Sequence, residues 1–279
     1  MLSFPAPAKL NLFLHVVGRR PDGYHLLQTV FRFLDFSDQL SFKLRADGVI
    51  KLHNPIVGVP EEKDLCTRAA KLLKQTTGTT QGVDIFLQKQ IPMGGGLGGG
   101  SSDAATTLLA LNQIWKVNLS RQQLLELGLQ LGADVPVFIF GQNAFAQGVG
   151  EKLTAIELPP AWYLVLVPPE QISTAEIFAS KELTRNTLPI KIPPFSVGQG
   201  HNDLEVVVCR LYPEVTRCLE WLKRLENTTI AAMSGSGGCV FAEFATEFAA
   251  QTTYEQIPDD MKGFVAKGLD YHPMHKSME

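Results

Sequence analysis

The residues with the clearest chemical potential form a glycine-rich segment at 92–105, which reads PMGGGLGGGSSDAA. Glycine lacks a Cβ atom, so its backbone can adopt positive φ angles and approach a ligand closely. The segment follows an alternating apolar run at 83–87 and leads into a helical pattern, TTLLALNQIW. A helix N-terminus presents free N–H groups and the positive end of its dipole. This arrangement predicts a phosphate site, because a flexible linker would not be flanked by a strand and an apolar helix.

Three known types of phosphate-binding loop do not account for the segment. A Walker loop ends in a lysine followed by serine or threonine, but here Gly100 is followed by Ser101. Gly94, Gly96 and Gly99 satisfy the dinucleotide pattern GxGxxG, yet residues 114–124 hold none of the acidic side chains that a dinucleotide fold places there. The HRD and DFG motifs of protein kinases are absent from the sequence. The glycine loop is therefore of a different type.

Elements on the N-terminal side of the loop can be predicted from their periodicity. Residues 9–16, KLNLFLHV, alternate between apolar and other side chains, which predicts a half-buried strand. A Pro-Asp-Gly turn follows at 21–23. Residues 65–75 have the apolar spacing of a helix, and 83–87 alternate as a second strand. The glycine loop is thus expected to join a strand to a helix.

Elements on its C-terminal side are predicted in the same way. Ser120 and Gln123 have the spacing of a capping box, and the helix they begin is expected to end at Gly132. Asp134 comes just after it, and the apolar run VPVFIF at 135–140 is interpreted as a strand. Further on, residues 203–225 have helical spacing around a proline, and the turn SGSGGC at 234–239 leads into an alternating strand.

Composition limits the class of protein. The chain has 279 residues, of which 45% are hydrophobic and 19% charged, and this excludes a disordered chain. Its net charge of −3 disfavours a nucleic-acid partner. The length of the chain, and the proline pairs that appear after about residue 150, favour two domains, 1–155 and 156–279. We also expect no signal peptide, no membrane span and no obligate protein partner. The four cysteines are expected to be reduced, in a cytoplasmic protein.

Several separated motifs resemble one known family. The glycine loop resembles the ATP loop of the GHMP kinases, which include galactokinase, homoserine kinase and mevalonate kinase. The match to one group of members is more extensive: it includes PAKLNLFLHVVGRRPDGYH at 7–25, LGADVPVF at 131–138, SGSGGCVFAEF at 234–244 and FVAKG at 264–268. That group phosphorylates a methylerythritol linked to cytidine diphosphate, in the non-mevalonate pathway of isoprenoid synthesis. The resemblance extends over essentially the whole chain.

The resemblance implies a fold, a reaction and two catalytic residues. The fold is α+β, with two domains and an active site in the cleft between them. ATP, with Mg²⁺, gives its γ-phosphoryl group to the 2-hydroxyl of the methylerythritol portion. Asp134 matches the general base of the family and Lys9 its active-site lysine, although spacing alone would not single out this lysine. No metal ligand is assigned.

The resemblance also implies binding residues. Tyr24 and His25 match a pair that recognises cytosine, Phe178 matches a second aromatic residue, and Asn11 matches a substrate contact. The expected ATP contacts are Pro92, Met93, Gly94, Gly95, Gly96, Leu97, Gly98, Gly99, Gly100, Ser101 and Ser102.

Two positions depart from the pattern. Relatives carry asparagine where this chain has Asp103, so we expect a capping or helix-dipole role there. They also carry an adenine-contacting asparagine where this chain has Asp64, which can accept but not donate a hydrogen bond.

Other functions remain open at this point. Another GHMP kinase that acts on mevalonate or homoserine would share the loop and the fold, but it would have no use for a cytosine site at Tyr24 and His25. A nucleotide-binding protein without turnover would have no use for both Lys9 and Asp134. A dinucleotide oxidoreductase is disfavoured by the missing acidic residue.

Overall fold

The computed structural model describes residues 1–191 and 200–275. Within these ranges the chain forms a mixed α+β fold, as expected from the family resemblance, and its strands belong to one extended sheet. No helix in the described ranges is long and apolar enough to cross a membrane. The strands are β1 (Leu2–Arg19), β2 (His25–Arg45), β3 (Ile50–Leu52), β4 (Gly82–Gln88), β5 (Ala144–Gly148), β6 (Lys152–Ala155), β7 (Trp162–Leu166), β8 (Ala231–Met233), β9 (Val240–Phe244) and β10 (Gly263–Leu269).

The helices lie between these strands. They are α1 (Leu65–Thr77), α2 (Gly99–Ile114), α3 (Arg121–Leu131), α4 (Val135–Phe140), α5 (Thr174–Ala179), α6 (Glu205–Leu211), α7 (Pro213–Lys223) and α8 (Glu247–Tyr254). The predicted capping box at Ser120 and Gln123 is present at the start of α3. The predicted helical stretch at 203–225 is present as α6 and α7, which meet at Pro213.

The sheet joins the two halves of the chain. The long strands β1 and β2 pair antiparallel, and β2 also pairs with β4, β5 and β10. Because β10 pairs with β7 as well, the C-terminal strands β7, β8 and β9 extend the same sheet. One hydrophobic core packs α1 to α4 on the N-terminal strands, and a second packs α6 to α8 on the C-terminal strands. The boundary at 155/156 stays a prediction.

The run VPVFIF at 135–140 is a helix, so the predicted strand is wrong. A short run of apolar residues without alternation does not distinguish a buried strand from a buried helix. Here Pro136 occupies the first turn, where its missing N–H costs nothing, and Gly141 ends the helix with φ at 79°. Residues 135–139 are all buried. The helix α4 begins immediately after Asp134, and this places that carboxylate at a helix N-terminus.

Candidate active site

The glycine loop separates two cavities. It runs from the end of β4 to Gly99, where α2 begins, and Gly94, Gly96 and Gly98 have φ angles of 70°, 78° and 72°. One cavity, of about 350 Å³, lies between the loop and the start of α1. The other, of about 310 Å³, contains Lys9 and Asp134. After the roles that the resemblance implies for them, we call these the nucleotide cavity and the acceptor cavity, and the loop forms a wall of both.

Close packing explains why glycine occupies two positions of the loop. A Cβ on Gly96 would overlap the carbonyl oxygen of Ser234, in the second glycine-rich turn. A Cβ on Gly98 would lie 2.9 Å from Cζ of Phe138 and 3.0 Å from Cε of Lys9. Together with the positive φ angles, these contacts exclude larger residues. Leu97 has the opposite role, because its side chain is buried in the core and anchors the loop.

Lys9 and Asp134, 125 positions apart in the sequence, are brought together at the acceptor cavity. The Lys9 ammonium lies 3.1 Å from Oδ2 of Asp134 and donates to the carbonyl oxygen of Gly96 at 3.0 Å. The lysine side chain is only 2% exposed, whereas the carboxylate is 39% exposed. The lysine is therefore a fixed charge inside the wall, and the carboxylate can be reached from the cavity.

A polar network holds Lys9 in place. Its ammonium donates to Oδ1 of Asn11 at 2.5 Å, and Nδ2 of Asn11 donates to the hydroxyl of Thr29 at 2.9 Å. The Ser234 hydroxyl accepts from the Asn11 backbone N–H and donates to the Gly96 carbonyl at 3.0 Å. Asn11 thus contacts Lys9 as well as the cavity. The turn that begins at Ser234 was recognised from the sequence, but no role was assigned to Ser234 itself, and no sequence signal pointed to Thr29.

Asp103 lies in a buried charge cluster and comes after the first turn of α2, so the capping or helix-dipole role expected for it is wrong. The N-cap of α2 is Gly98, and Oδ2 of Asp103 accepts from Lys89 at 2.9 Å. Lys89 also bonds to Asp38. Burial raises the pKa of Asp103 to about 7, with Asp38 adding to the shift and Lys89 opposing it. Burial alone would lower the pKa of Lys89, but the two carboxylates raise it. The cluster thus contains two carboxyl groups, those of Asp38 and Asp103, and one amino group, that of Lys89.

Asp64 acts as a helix cap. Its Oδ1 accepts from the backbone N–H of Thr67 at 2.7 Å, which satisfies one of the free N–H groups at the start of α1. Asp64 is 4% exposed and contributes to the lining of the nucleotide cavity. An aspartate is as good a cap as asparagine, and this gives the departure from the family pattern a physical reason.

The residues that the resemblance assigns to cytosine are brought together in part. The ring of His25 packs on that of Phe178, with centroids 4.9 Å apart, and Phe178 contributes to the cavity lining. Nε2 of His25 accepts from Nε of Arg185 at 3.1 Å. Tyr24 is 63% exposed, and no ring contact among the described residues joins it to either aromatic side chain. No sequence signal pointed to Arg185.

Comparisons with known proteins agree with this geometry. Residues 64–142 match the GHMP kinases N terminal domain, and residues 196–263 match the GHMP kinases C terminal model. A 4-diphosphocytidyl-2-C-methyl-D-erythritol kinase of Nitrosospira multiformis is 71% identical over 278 residues, which is 100% of this chain and 95% of the relative. The enzyme of that name from Nitrosomonas europaea is 64% identical and is matched over 97% of this chain and 98% of its own length.

Solved structures give the same result. A crystal structure of 4-(cytidine 5'-diphospho)-2C-methyl-D-erythritol kinase is 33% identical, with a TM-score of 0.83, over 96% of this chain and 99% of its own. A mevalonate kinase, at 16% identity and a TM-score of 0.67 over 97% of this chain and 100% of its own, shares the fold. The expectation drawn from the separated motifs is confirmed. The chain belongs to the 4-diphosphocytidyl-2-C-methyl-D-erythritol kinase family of the GHMP kinases.

Proposed function

We propose that the protein transfers the γ-phosphoryl group of ATP to the 2-hydroxyl of 4-diphosphocytidyl-2-C-methyl-D-erythritol, on the non-mevalonate route to isoprenoid precursors. The observation that carries the proposal is the Lys9–Asp134 pair, which lies 3.1 Å apart on the acceptor side of the glycine loop. A protein that only bound nucleotide would have no use for a reachable carboxylate beside a buried ammonium at that place.

ATP is the phosphoryl donor, and we assign its phosphates to the segment 92–102. Backbone N–H groups of the loop and of the first turn of α2 are suited to phosphate oxygens, and the helix dipole adds favourable charge. Ser101 contributes to the lining of both cavities, so its hydroxyl is within reach of a phosphate that passes between them. This assignment directs the γ-phosphoryl group from the nucleotide cavity toward Lys9.

The transfer step then uses the two charged residues. The substrate oxygen forms a bond to the γ-phosphorus while the bond from that phosphorus to the bridging oxygen breaks, and ADP leaves. The hydroxyl proton passes to the carboxylate of Asp134, which acts as general base. Lys9 stabilises the negative charge that develops on the attacking oxygen and on the phosphoryl group. Since phosphoryl transfer depends mainly on positioning and charge, this small set of groups is sufficient.

We infer that Mg²⁺ accompanies ATP, and the residues present fit such an ion. The described residues contain no cluster of three or more acidic, histidine or cysteine side chains that could hold a metal on their own. Mg²⁺ in kinases is bound through one or two protein oxygens together with the phosphates of the substrate. The Ser101 hydroxyl on the acceptor side could supply such an oxygen. When bound, the ion neutralises charge on the phosphates.

The cytidyl end of the substrate is assigned to Tyr24, His25 and Phe178. An exposed tyrosine ring can stack on a base, and an imidazole can hydrogen-bond its edge. The packing of His25 on Phe178 supports this assignment, because a polar imidazole lies beside an aromatic ring that lines the cavity. Neither mevalonate nor homoserine offers a base for such a surface.

Three further inferences follow from the proposal. We divide the chain at 155/156, since β6 ends at Ala155 and the two family matches fall on either side. We place the enzyme in the cytoplasm, where ATP is available; its four cysteines are free thiols, which agrees with that compartment. The small-molecule substrate and ATP are the only partners that the reaction requires.

A coupled assay of ADP release tests the function. The wild-type protein should turn over the diphosphocytidyl substrate and not mevalonate or homoserine. Asp134→Asn should lower kcat at least about 100-fold, the lower range for loss of a general base, while ATP affinity stays unchanged. The matched control is Glu126→Gln, an exposed carboxylate on α3, which should leave kcat unchanged. Turnover of Asp134→Asn at the wild-type rate would reject Asp134 as the base.

A further inference from the structure

Arg185 is fixed against the imidazole of His25. Its Nη1 donates to the carbonyl oxygen of Leu183 at 3.0 Å, and its Nη2 donates to those of Phe178 and Ser180 at 3.0 and 2.6 Å. With these bonds in place, the Nε–H group points at Nε2 of His25 over 3.1 Å. Among the described residues, the guanidinium of Arg185 bonds to three backbone carbonyls and to His25, and to no carboxylate. The guanidinium is therefore anchored by backbone, and its remaining bond is directed at one histidine nitrogen.

This contact determines where His25 carries its proton. A guanidinium has only donors and keeps its charge, so Nε2 of the imidazole must accept. A neutral imidazole has one N–H group, and that group is then on Nδ1. Burial, followed by the positive charges of Arg185 and Arg19, also lowers the pKa of His25. The ring is thus neutral at neutral pH, with its only N–H on the edge away from Arg185.

We propose that Arg185 is a positioning residue that fixes His25 as an Nδ1–H donor and so makes the site select cytosine over uracil. The proposal rests on the proposed function, which places the base at this site. Cytosine has acceptors at N3 and O2, whereas uracil carries an N–H group at N3. A fixed donor can bond to N3 of cytosine, but it meets another donor in uracil, and a polar group left unpaired is costly.

Arg185 also connects the two aromatic residues of the site. His25 begins β2 and Phe178 lies in α5, and the same guanidinium bonds to the imidazole of one and to the backbone of the other. The rings lie 4.9 Å apart at an angle of 32°. The stacking surface and the hydrogen-bonding edge are thus set together, so that loss of Arg185 affects the choice of base as well as affinity.

Competition between two substrates tests the selectivity. The diphosphocytidyl substrate is compared with its diphosphouridyl analogue in wild type, in Arg185→Met and in the control Arg210→Met, whose arginine forms an exposed ion pair with Glu182. Wild type and control should prefer the cytidyl substrate at least about 100-fold in kcat/KM. Arg185→Met should lower that preference about tenfold or more, through a higher KM for the cytidyl substrate and a KM for the uridyl analogue that is unchanged or lower.

A spectroscopic measurement on the free wild-type enzyme requires neither turnover nor the Arg185→Met variant. Imidazole ¹⁵N spectra, assigned by the signals lost in His25→Gln, should show His25 of wild type as the Nδ1–H tautomer with a titration midpoint below 6.5. An Nε2–H tautomer in wild type would overturn the proposal, as would an equal loss of both substrates in Arg185→Met, since a purely structural role affects both alike. If wild type used neither substrate, the proposed function would fail while the tautomer still decided the role of Arg185.

Discussion

Replacement of Gly98 by alanine would introduce two energetic costs that glycine avoids at this position. The first is conformational: Gly98 has φ at 72° and ψ at 15°, a left-handed conformation that costs an L-residue about 1–2 kcal/mol. The second is steric, because the new methyl group would lie 2.9 Å from Phe138 and 3.0 Å from Lys9. Overpacking of this kind typically costs about 1–3 kcal/mol. We therefore expect Gly98→Ala to lower the free energy of unfolding by about 2–5 kcal/mol in total.

Gly78→Ala is the matched control. Gly78 ends α1 with φ at 69° and ψ at 11°, and an added Cβ would meet nothing within 4 Å. It therefore carries the conformational cost alone, about 1–2 kcal/mol. Both substitutions reduce the freedom of the unfolded chain by the same amount, so that effect cancels in the comparison. The difference between the two variants in urea denaturation isolates the steric contact with Lys9 and Phe138.

Activity gives a second, independent readout. Relief of the contact at 3.0 Å requires Lys9 to move by a few tenths of an ångström or more relative to Asp134. Since a displacement of about 1 Å at a reacting centre can cost 100-fold, kcat of Gly98→Ala should fall at least about tenfold. Gly78→Ala should keep the wild-type kcat in the same assay. Equal destabilisation of the two variants, together with an unchanged kcat for Gly98→Ala, would refute the packing of the loop on Lys9.

Three further predictions concern stability. Burial, followed by the charge of His275, lowers the pKa of His272 from 6.5 to about 3. Between these two pH values the unfolded chain binds the proton and the folded protein does not. The free energy of unfolding should therefore decrease as the pH is lowered, by up to about 1.4 kcal/mol per pH unit. Urea denaturation at pH 7.5 and 5 should show a smaller loss for His272→Asn than for wild type. Asp103 has its pKa raised to about 7, so its charge destabilises the folded state as pH rises through that value. The melting temperature of Asp103→Asn relative to wild type should therefore be higher at pH 8 than at pH 6, and a reversed order would contradict the raised pKa of Asp103. Asp64→Ala should cost about 1 kcal/mol through the lost cap, and an unchanged melting temperature would argue against that role.

The glycine loop could be predicted from the sequence because a backbone that turns tightly and approaches a ligand closely requires glycine. A run of glycines between a strand and a helix is a local signal, and the structure confirms both the shape and its neighbours. Lys9 and Asp134 have no such signal, since they meet only through the fold. Their prediction depended on the resemblance to a family, and their catalytic roles stay predictions.

Errors arose where tertiary contacts overrode a local pattern. The run at 135–140 has no periodicity, and only Pro136 in the first turn and Gly141 at the end match the ends of the helix that forms. A capping or helix-dipole role would need Asp103 in the first turn of α2, but it is the fifth residue of that helix, and Lys89, just after β4, reaches its carboxylate instead. Arg185 could not be found from the sequence, because its partners are backbone carbonyls and a histidine 160 positions away.

The contact between the glycine loop and the turn at 234–239 has a consequence for synthesis of the protein on the ribosome. The carbonyl of Gly96 accepts from the Ser234 hydroxyl, and the backbone N–H of Cys239 donates to the carbonyl of Gly95 at 3.1 Å. These partners are translated about 140 residues after the loop. A nascent chain that has emerged only through α4 has the complete loop sequence without its support. Competence to bind ATP is thus expected late in translation, once residue 239 has left the ribosomal tunnel.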